Sequence, residues 1–185
     1  MNRDHKLLVG RPKIFIFGGV RSGKTSYAIN LAKNIGGSVI YIATCIFFDD
    51  EMEKRIEIHK KMRPKEWRTI EEGKSLSSVI RDISCDVAII DCLGIYISNL
   101  LVEGFLDDEI LKDISDIKDI IKTKDFSVIL ISNEVGLGVV PNDSLSRRFC
   151  DIIGISNQMM AEEFDEVIFM RAGIPIKMKG YEEAK

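Results

Sequence analysis

Hydrophobic and polar residues alternate along this chain in blocks of two kinds. Four short blocks are almost continuously apolar and rich in β-branched residues, and they span residues 13–17, 38–44, 86–91 and 127–132. Such blocks are typical of strands that are covered on both faces. The segments between them carry apolar residues at helical spacing, most clearly the isoleucines at 110, 114, 117 and 121. This alternation predicts an α/β fold with a mostly parallel sheet and helices on both faces.

The first half of the chain contains three further predicted elements. The sequence predicts helices at residues 50–62 and around residues 76–83, with a short extended stretch at 67–70 between them. The glycine pair at 36–37 is expected to end the helix that follows the first strand. These elements keep the alternation of strands and helices that a parallel sheet requires.

The second half ends in a different pattern. Asn142 or Asp143 could cap a long helix, and residues 166–179 predict two strands of an antiparallel hairpin. We interpret the chain as an N-terminal extension at 1–12, a single domain at 13–180 and a C-terminal tail at 181–185.

Composition and charge narrow the possible functions of the 185-residue chain. Hydrophobic residues make up 45% and charged residues 30%, which excludes a disordered or collagen-like chain. The formal net charge is −3, so no overall basic field favours nucleic acid or an anionic membrane. No apolar run approaches the ~20 residues of a membrane span.

The cysteines and histidines argue against a zinc site. The four cysteines form no C-x-x-C pair, and the sequence has only two histidines. We therefore expect reduced thiols in a cytoplasmic protein.

The turn after the first predicted strand carries the clearest chemical motif. It fits the phosphate-binding pattern G-x-x-x-x-G-K-[ST] with Gly18, Gly19, Val20, Arg21, Ser22, Gly23, Lys24 and Thr25. A strand precedes the motif and a helix follows it, so backbone N–H groups and the helix N-terminus can converge on phosphate oxygens. Lys24 would reach the β- and γ-phosphates, and the Thr25 hydroxyl would ligate Mg²⁺. The motif predicts that a nucleoside triphosphate binds here.

Asp91 ends the strand at 86–91, where P-loop proteins place a carboxylate that holds Mg²⁺ directly or through water. An aspartate that caps the following helix is the alternative interpretation, and one residue could serve both roles.

A strongly charged segment at residues 49–63 contains His59. On a helix, His59 would share a face with Met52 and Ile56, and the cations around it are Arg55, Lys60, Lys61 and Arg63. A neutral imidazole beside cations and a phosphate could act as a nucleophile toward phosphorus. From this segment alone, a solvated surface histidine is the simpler interpretation.

Several motifs in fixed order carry a resemblance to a known family. They are GGVRSGKT, YIAT, RIEIHKKMRPKEWRT, DCLGIYISNLL, SNEVGLGVVP and the segment from NQMM to KMK. Together they resemble the bifunctional adenosylcobinamide kinase / adenosylcobinamide-phosphate guanylyltransferase family, over about residues 13–179. The P-loop is generic, whereas the histidine block and NEVGLGVVP are far more specific.

This resemblance implies a RecA-like P-loop fold and a homotrimer. It implies phosphorylation of adenosylcobinamide with ATP or GTP, followed by transfer of GMP from GTP to the new phosphate. In the family, GMP is first carried on a histidine, which corresponds here to His59. Gly18–Thr25 would then hold the triphosphate while His59 attacks the α-phosphorus and pyrophosphate leaves.

The resemblance also implies further nucleotide contacts. These fall on Ala43, Thr44, Cys45, Lys60, Lys61, Met62, Arg63, Glu71 and Asp91. Asp91 would serve Mg²⁺ or the guanosine, and Glu71 would accept hydrogen bonds from guanine or ribose unless it is a solvated edge residue. The loop after Asn133 is expected to line the cobinamide or nucleotide site, since ligands of open α/β sheets bind at this edge.

Three rival functions remain at this point. A monofunctional small-molecule kinase would use the P-loop and Asp91 and leave His59 idle. A GTP-dependent switch is disfavoured because the strand ending at Asn133 lacks the N-K-x-D motif that reads guanine in such proteins. A RecA-like DNA motor is disfavoured by the acidic charge balance.

Overall fold

We describe the protein from a computed structural model that covers residues 10–45, 57 and 60–180. The strands of this part of the chain are β1 (Lys13–Gly18), β2 (Val39–Ala43), β3 (Arg68–Glu71), β4 (Val87–Asp91), β5 (Ser127–Asn133), β6 (Glu166–Arg171) and β7 (Ile174–Lys179). Its principal helices are α1 (Lys24–Ile35), α2 (Leu76–Asp82), α3 (Leu93–Val102), α4 (Asp107–Thr123) and α5 (Ser144–Glu163).

The strands form one seven-stranded sheet in the order β3-β2-β4-β5-β1-β6-β7. All neighbours are parallel except β6 and β7, which form the predicted antiparallel hairpin. In this register Ala43 at the end of β2 lies opposite Asp91 at the end of β4, and Gly18 of β1 lies opposite Asn133 of β5. The polar residues that end these strands therefore share one edge of the sheet.

Helices cover both faces of the sheet, as the continuous apolar strands predicted. On one face the apolar side of α1, including Ala28 and Leu31, packs on residues such as Ile16 and Ile129. On the other face α2, α3, α4 and α5 pack together over alternate residues of the same strands. The predicted α/β class with a mostly parallel sheet and a C-terminal hairpin is thus confirmed.

The helix ends follow their local sequence. Gly36 ends α1 with φ 79°, a conformation that favours glycine, and its N–H donates to Ala32 O at 3.0 Å. Of the two candidate caps for α5, the structure uses Asp143, whose carboxylate accepts the Ser146 N–H at 2.8 Å. The pKa of Asp143 is held below its ordinary value mainly by this backbone hydrogen bond.

The predicted helix at 50–62 falls mostly outside the described residues. Residue 57 and residues 60–62 are helical, whereas Arg55 and His59 lie outside the part of the chain that the structure describes. Across the described residues, no helix combines the length and apolar character that a membrane crossing requires.

Candidate active site

The loop between β1 and α1 wraps around the side chain of Lys24. The Lys24 ammonium donates to the carbonyl oxygens of Gly18 and Gly19, both at 2.8 Å, and the residue is only 8% exposed. Burial lowers the pKa of Lys24, while Cys92 and Asp91 act in the opposite direction. The loop thus holds a buried cation beneath its own backbone, in the position from which it can meet phosphate oxygens.

The hairpin of β6 and β7 contacts the loop between β1 and α1. A Cβ atom on Gly18 would lie 2.3 Å from the carbonyl oxygen of Met170 in β6, so only glycine fits there. Gly173, in the turn between β6 and β7, donates its N–H to Ser22 O at 3.0 Å. Ser22 Oγ is buried and has no hydrogen-bond partner among the described residues. The loop therefore keeps its shape by backbone contacts and leaves a buried hydroxyl available to a ligand.

The Asp91 carboxylate accepts hydrogen bonds from two hydroxyl groups. Thr25 Oγ1 donates to Asp91 Oδ2 at 3.0 Å, and the Tyr41 hydroxyl donates to the same oxygen. The N-cap of α3 is Cys92, whose sulfur accepts the Ile95 N–H at 3.5 Å. The structure therefore joins the Asp91 carboxylate to the P-loop threonine and assigns the cap of the next helix to its neighbour.

Thr25 and Asp91 fit a magnesium ion. Mg²⁺ prefers hard oxygen ligands and commonly takes one or two from the protein, with nucleotide phosphates and water supplying the rest. A hydroxyl and a carboxylate already lie within hydrogen-bond distance of each other beside the P-loop. The described residues contain no cluster of three or more His, Cys, Asp or Glu side chains that could form a cage of protein ligands alone.

Residues 43–45 are fixed against the strand that carries Asp91. Thr44 Oγ1 donates to Cys92 O and accepts from Cys92 N, both at 2.7 Å, and Asn99 Nδ2 donates to Thr44 O at 2.8 Å. Burial raises the pKa of the Cys92 thiol to about 12, so the thiol is neutral at physiological pH. The structure brings Ala43, Thr44 and half-buried Cys45 to the same sheet edge as the P-loop.

A basic cavity of about 320 Å³ lies in the segment that precedes β3. Its lining residues are Glu57, Lys60, Lys61, Arg63 and Lys65. Lys60 pairs with Glu71, the last residue of β3, at 2.7 Å, and Lys61 lies 3.6 Å from Glu57. Both pairs are largely exposed, so they contribute little stability. Met62 beside them is 38% exposed.

Arg63 connects this cavity with Tyr41. Its guanidinium carbon lies 3.8 Å from the centre of the Tyr41 ring, a cation–π contact. The Arg63 Nε and Nη1 atoms are buried and have no hydrogen-bond partner among the described residues. Arg63 thus presents unsatisfied donors close to the cluster of Tyr41, Asp91 and Thr25.

The loop after β5 reaches the P-loop from the other side. Glu134 donates its N–H to Gly18 O at 3.0 Å, and its carboxylate accepts the Gly136 N–H at 2.6 Å. Further along this loop, Leu137 and Val139 are 82% and 97% exposed. The loop therefore borders the phosphate loop, and that it lines the cobinamide or nucleotide site stays a prediction.

Sequence reasoning did not single out two residues of this site. One is Tyr41, whose place in an apolar strand concealed the polar role of its hydroxyl. The other is Gly173, which contacts the P-loop from a distant hairpin turn. The signal for Tyr41 was its spacing, because it stands two residues before Ala43 and therefore faces the same side of the sheet.

The strand, glycine-rich loop and helix, with a buried lysine and a threonine–aspartate pair beside it, define a P-loop nucleotide-binding protein of the α/β class. Residues 14–178 match the family described as cobinamide kinase / cobinamide phosphate guanyltransferase. The match spans most of the chain, so the chain belongs to this family and is an enzyme of the transferase class.

Three relatives are similar over nearly their whole length. The bifunctional adenosylcobalamin biosynthesis protein CobP of Pseudomonas aeruginosa is 40% identical, over 89% of this chain and 96% of its own. The proteins named bifunctional adenosylcobalamin biosynthesis protein CobU from Escherichia coli and Salmonella typhimurium are 36% and 38% identical. For both, the alignment covers 90% of this chain and 99% of the relative.

Solved structures support the fold at much lower identity. An ATPase of the type III secretion system of pathogenic bacteria superposes with a TM-score of 0.53 and 12% identity, over 90% of this chain and 56% of its own. A protein from Pyrococcus horikoshii OT3 superposes with a TM-score of 0.57 and 9% identity, over 96% and 90% of the two chains. At this identity the likeness concerns the fold alone.

Proposed function

We propose that this chain carries both activities that its family description names. It phosphorylates adenosylcobinamide with ATP or GTP and then transfers GMP from GTP to the adenosylcobinamide phosphate, giving adenosylcobinamide-GDP and pyrophosphate. The observation that carries this proposal is the meeting of a complete P-loop and the Thr25–Asp91 pair with Arg63 of the cation-rich segment after His59, through the side chain of Tyr41. The family match over residues 14–178 supports it.

In both reactions the P-loop residues bind and orient the triphosphate. Lys24 would exchange its contacts with the carbonyls of Gly18 and Gly19 for phosphate oxygens, which are stronger acceptors for an ammonium. Ser22 Oγ would gain the partner that it lacks. Thr25 and Asp91 would hold Mg²⁺, which neutralises charge on the phosphates when it is bound.

The guanylyl transfer requires a nucleophile, and we assign it to His59. A new N–P bond forms between the imidazole and the α-phosphorus of GTP, the bond to the bridging oxygen breaks, and pyrophosphate leaves. An oxygen of the cobinamide phosphate then displaces the imidazole from the same phosphorus. Lys60, Lys61 and Arg63 follow His59 closely in sequence and would stabilise the charge that develops on the phosphoryl oxygens.

Glu71 is proposed to select the base or the sugar. An ionised carboxylate only accepts hydrogen bonds, so it suits the N–H groups of guanine or the ribose hydroxyls. The ion pair between Glu71 and Lys60 is solvent-exposed, so breaking it costs little free energy. GTP can therefore replace Lys60 as the partner of Glu71.

We further propose a homotrimer in the cytoplasm that binds no nucleic acid. Exposed apolar residues at the end of α3 and at the starts of α4 and α5, among them Val102, Leu106 and Leu145, support contacts between subunits. Within the described part of the chain, none of the four cysteines forms a disulfide, which supports a reducing compartment. The negative net charge supports the exclusion of nucleic acid.

The test is a product analysis on the purified protein with adenosylcobinamide, GTP, ATP and Mg²⁺, resolved by chromatography. We expect cobinamide phosphate and then its GDP derivative from the unaltered chain, and neither product from Lys24→Ala. His59→Ala should still form the phosphate but not the GDP derivative. Lys33→Ala, which removes an exposed lysine from the last turn of α1, is the matched control and should retain both activities.

Two outcomes would change the assignment. Formation of the phosphate without the GDP derivative by the unaltered chain would favour a monofunctional kinase. Either product from Lys24→Ala at the rate of the unaltered chain would mean that a second nucleotide site exists.

A further inference from the structure

We propose that Tyr41 is a positioning residue that holds Asp91 with its hydroxyl and Arg63 with its ring. It would thereby link the magnesium side of the P-loop to the segment that follows His59. This inference rests on the proposed function, because it assigns Asp91 and Arg63 to the two reactions. It adds to that function a single buried side chain on which both parts of the site depend.

The hydroxyl end of Tyr41 belongs to the P-loop cluster. Tyr41 is fully buried in β2, on the face that α1 covers, and its hydroxyl donates to the carboxylate oxygen that also accepts from Thr25. A buried hydroxyl is costly without a partner, and a bond to an ionised acceptor is stronger than one between neutral groups. Phenylalanine would fill the same space in the core, so the hydroxyl is best explained by its contact with Asp91.

The protonation states suit this contact. Burial raises the pKa of Tyr41 far above its ordinary value, and Asp91 raises it further, while Arg63 opposes both. Tyr41 therefore remains a neutral donor. An ionised carboxylate only accepts hydrogen bonds, so it suits the two hydroxyl groups of Tyr41 and Thr25.

The ring end of Tyr41 belongs to the cation-rich segment. The Arg63 guanidinium carbon lies 3.8 Å from the ring centre, so the ring covers one face of the guanidinium. The buried Nε and Nη1 atoms at its edge have no partner among the described residues. A planar cation held on one face with unsatisfied donors at its edge is arranged to bind a planar or tetrahedral oxyanion. Removal of the ring would release Arg63 from this orientation.

The two ends can be separated by substitution. Tyr41→Phe removes only the hydroxyl, and Tyr41→Leu removes the ring as well. Tyr96 offers a matched control because it is also fully buried, its hydroxyl donates to Asp113 Oδ2 at 2.5 Å, and it packs on the opposite face of the sheet. Tyr96→Phe and Tyr96→Leu therefore make the same chemical changes away from the site.

The first readout is binding of a fluorescent GTP analogue, with Mg²⁺ and with EDTA, in the absence of any corrinoid. For Tyr41→Phe we expect the tightening of binding by Mg²⁺ to fall about tenfold, because a charge-assisted hydrogen bond to Asp91 is lost. Binding in EDTA should stay within about twofold of the unaltered chain. Tyr96→Phe should keep the full Mg²⁺ effect, and an equal loss in both variants would overturn the hydroxyl half of the proposal.

The second readout is covalent labelling of the protein by GTP labelled at the α-phosphate, at saturating GTP and Mg²⁺. Tyr41→Leu should label at least about tenfold more slowly than Tyr41→Phe, because a misplaced catalytic cation costs at least one order of magnitude. Tyr96→Leu should label like the unaltered chain. If Tyr41→Leu does not fold, Arg63→Lys tests the ring contact instead, because it keeps the positive charge but loses the planar group that stacks on Tyr41. Labelling of the tested variant at the rate of the unaltered chain would overturn the part of the proposal that concerns the ring.

Two results distinguish the role of Tyr41 from the proposed guanylyl transfer. If the unaltered chain folds and binds GTP but never labels, the guanylyl transfer is wrong. If it labels and both Tyr41 variants behave like their Tyr96 controls, the transfer stands and Tyr41 only fills the core.

Discussion

The contact between β1 and β6 at Gly18 leads to a quantitative prediction. A Cβ atom at Gly18 would lie 2.3 Å from Met170 O, whereas real Cβ atoms essentially never come closer than 3.0 Å to such a neighbour. In Gly18→Ala the two strands must therefore separate by at least about 0.7 Å, or β1 must bend. Either movement disturbs the Gly18 carbonyl, which accepts hydrogen bonds from Lys24 Nζ at 2.8 Å and from the Glu134 N–H at 3.0 Å.

Overpacking of this kind costs about 1–3 kcal/mol in well-packed proteins. For a chain of this length each kcal/mol lowers Tm by about 2–4 °C, so we expect Gly18→Ala to melt roughly 2–12 °C below the unaltered chain. Gly19→Ala is the matched control, since a Cβ there meets nothing within 4 Å. Thermal unfolding without nucleotide measures both. Equal melting temperatures for Gly18→Ala and the unaltered chain would refute the claim that the hairpin fixes the P-loop.

Three further predictions concern single side chains. Asp143→Ala should lower Tm at pH 7 because the cap of α5 is lost. The folded-state pKa of Asp143 lies below the ordinary 3.8, so its stabilisation is complete above pH 3.8 and is lost as the pH falls through the folded-state pKa. The difference in Tm between Asp143→Ala and the unaltered chain should therefore be smaller at pH 2 than at pH 7. Cys92, with a pKa near 12, should resist iodoacetamide at pH 8.5 in the folded chain and react once urea unfolds it, which peptide mass spectrometry detects. Lys60→Ala should change the free energy of unfolding by no more than about 1 kcal/mol, because the pair with Glu71 is exposed, yet weaken GTP binding measured by calorimetry.

The sequence predicted most of the fold because its strands and helices have clear periods. The hairpin at 166–179 occurs as predicted. The strand predicted at 38–44 is shorter by one residue at each end in the structure, and the strand predicted at 86–91 lacks only its first residue. The order of strands in the sheet could not be read from the periods, because local patterns carry no information on which strands become neighbours. The limits of the N-terminal extension and the C-terminal tail stay predictions, as residues 1–9 and 181–185 lie outside the described part.

The site was predictable only where a motif fixes residue types. The P-loop pattern located Lys24 and Thr25, and the end of an apolar strand located Asp91; the structure adds that the hydroxyl of Thr25 meets the carboxylate of Asp91. The hydrogen bond from Tyr41 to Asp91 was missed because an aromatic residue in a buried strand is ordinarily core, and the spacing from Ala43 indicates only which face of the sheet Tyr41 lies on. The backbone hydrogen bond from Gly173 to Ser22 joins residues about 150 positions apart, and it forms only when β1 and β6 pair.

The central claim is that His59 carries GMP, and one experiment tests it directly. The purified protein is incubated with Mg²⁺ and GTP labelled at the α-phosphate, denatured, and examined for bound label that acid removes. We predict label in the unaltered chain and in His5→Ala, which alters the only other histidine of the sequence, and none in His59→Ala. Undiminished label in His59→Ala, or no label in a folded chain that binds GTP, would contradict the account.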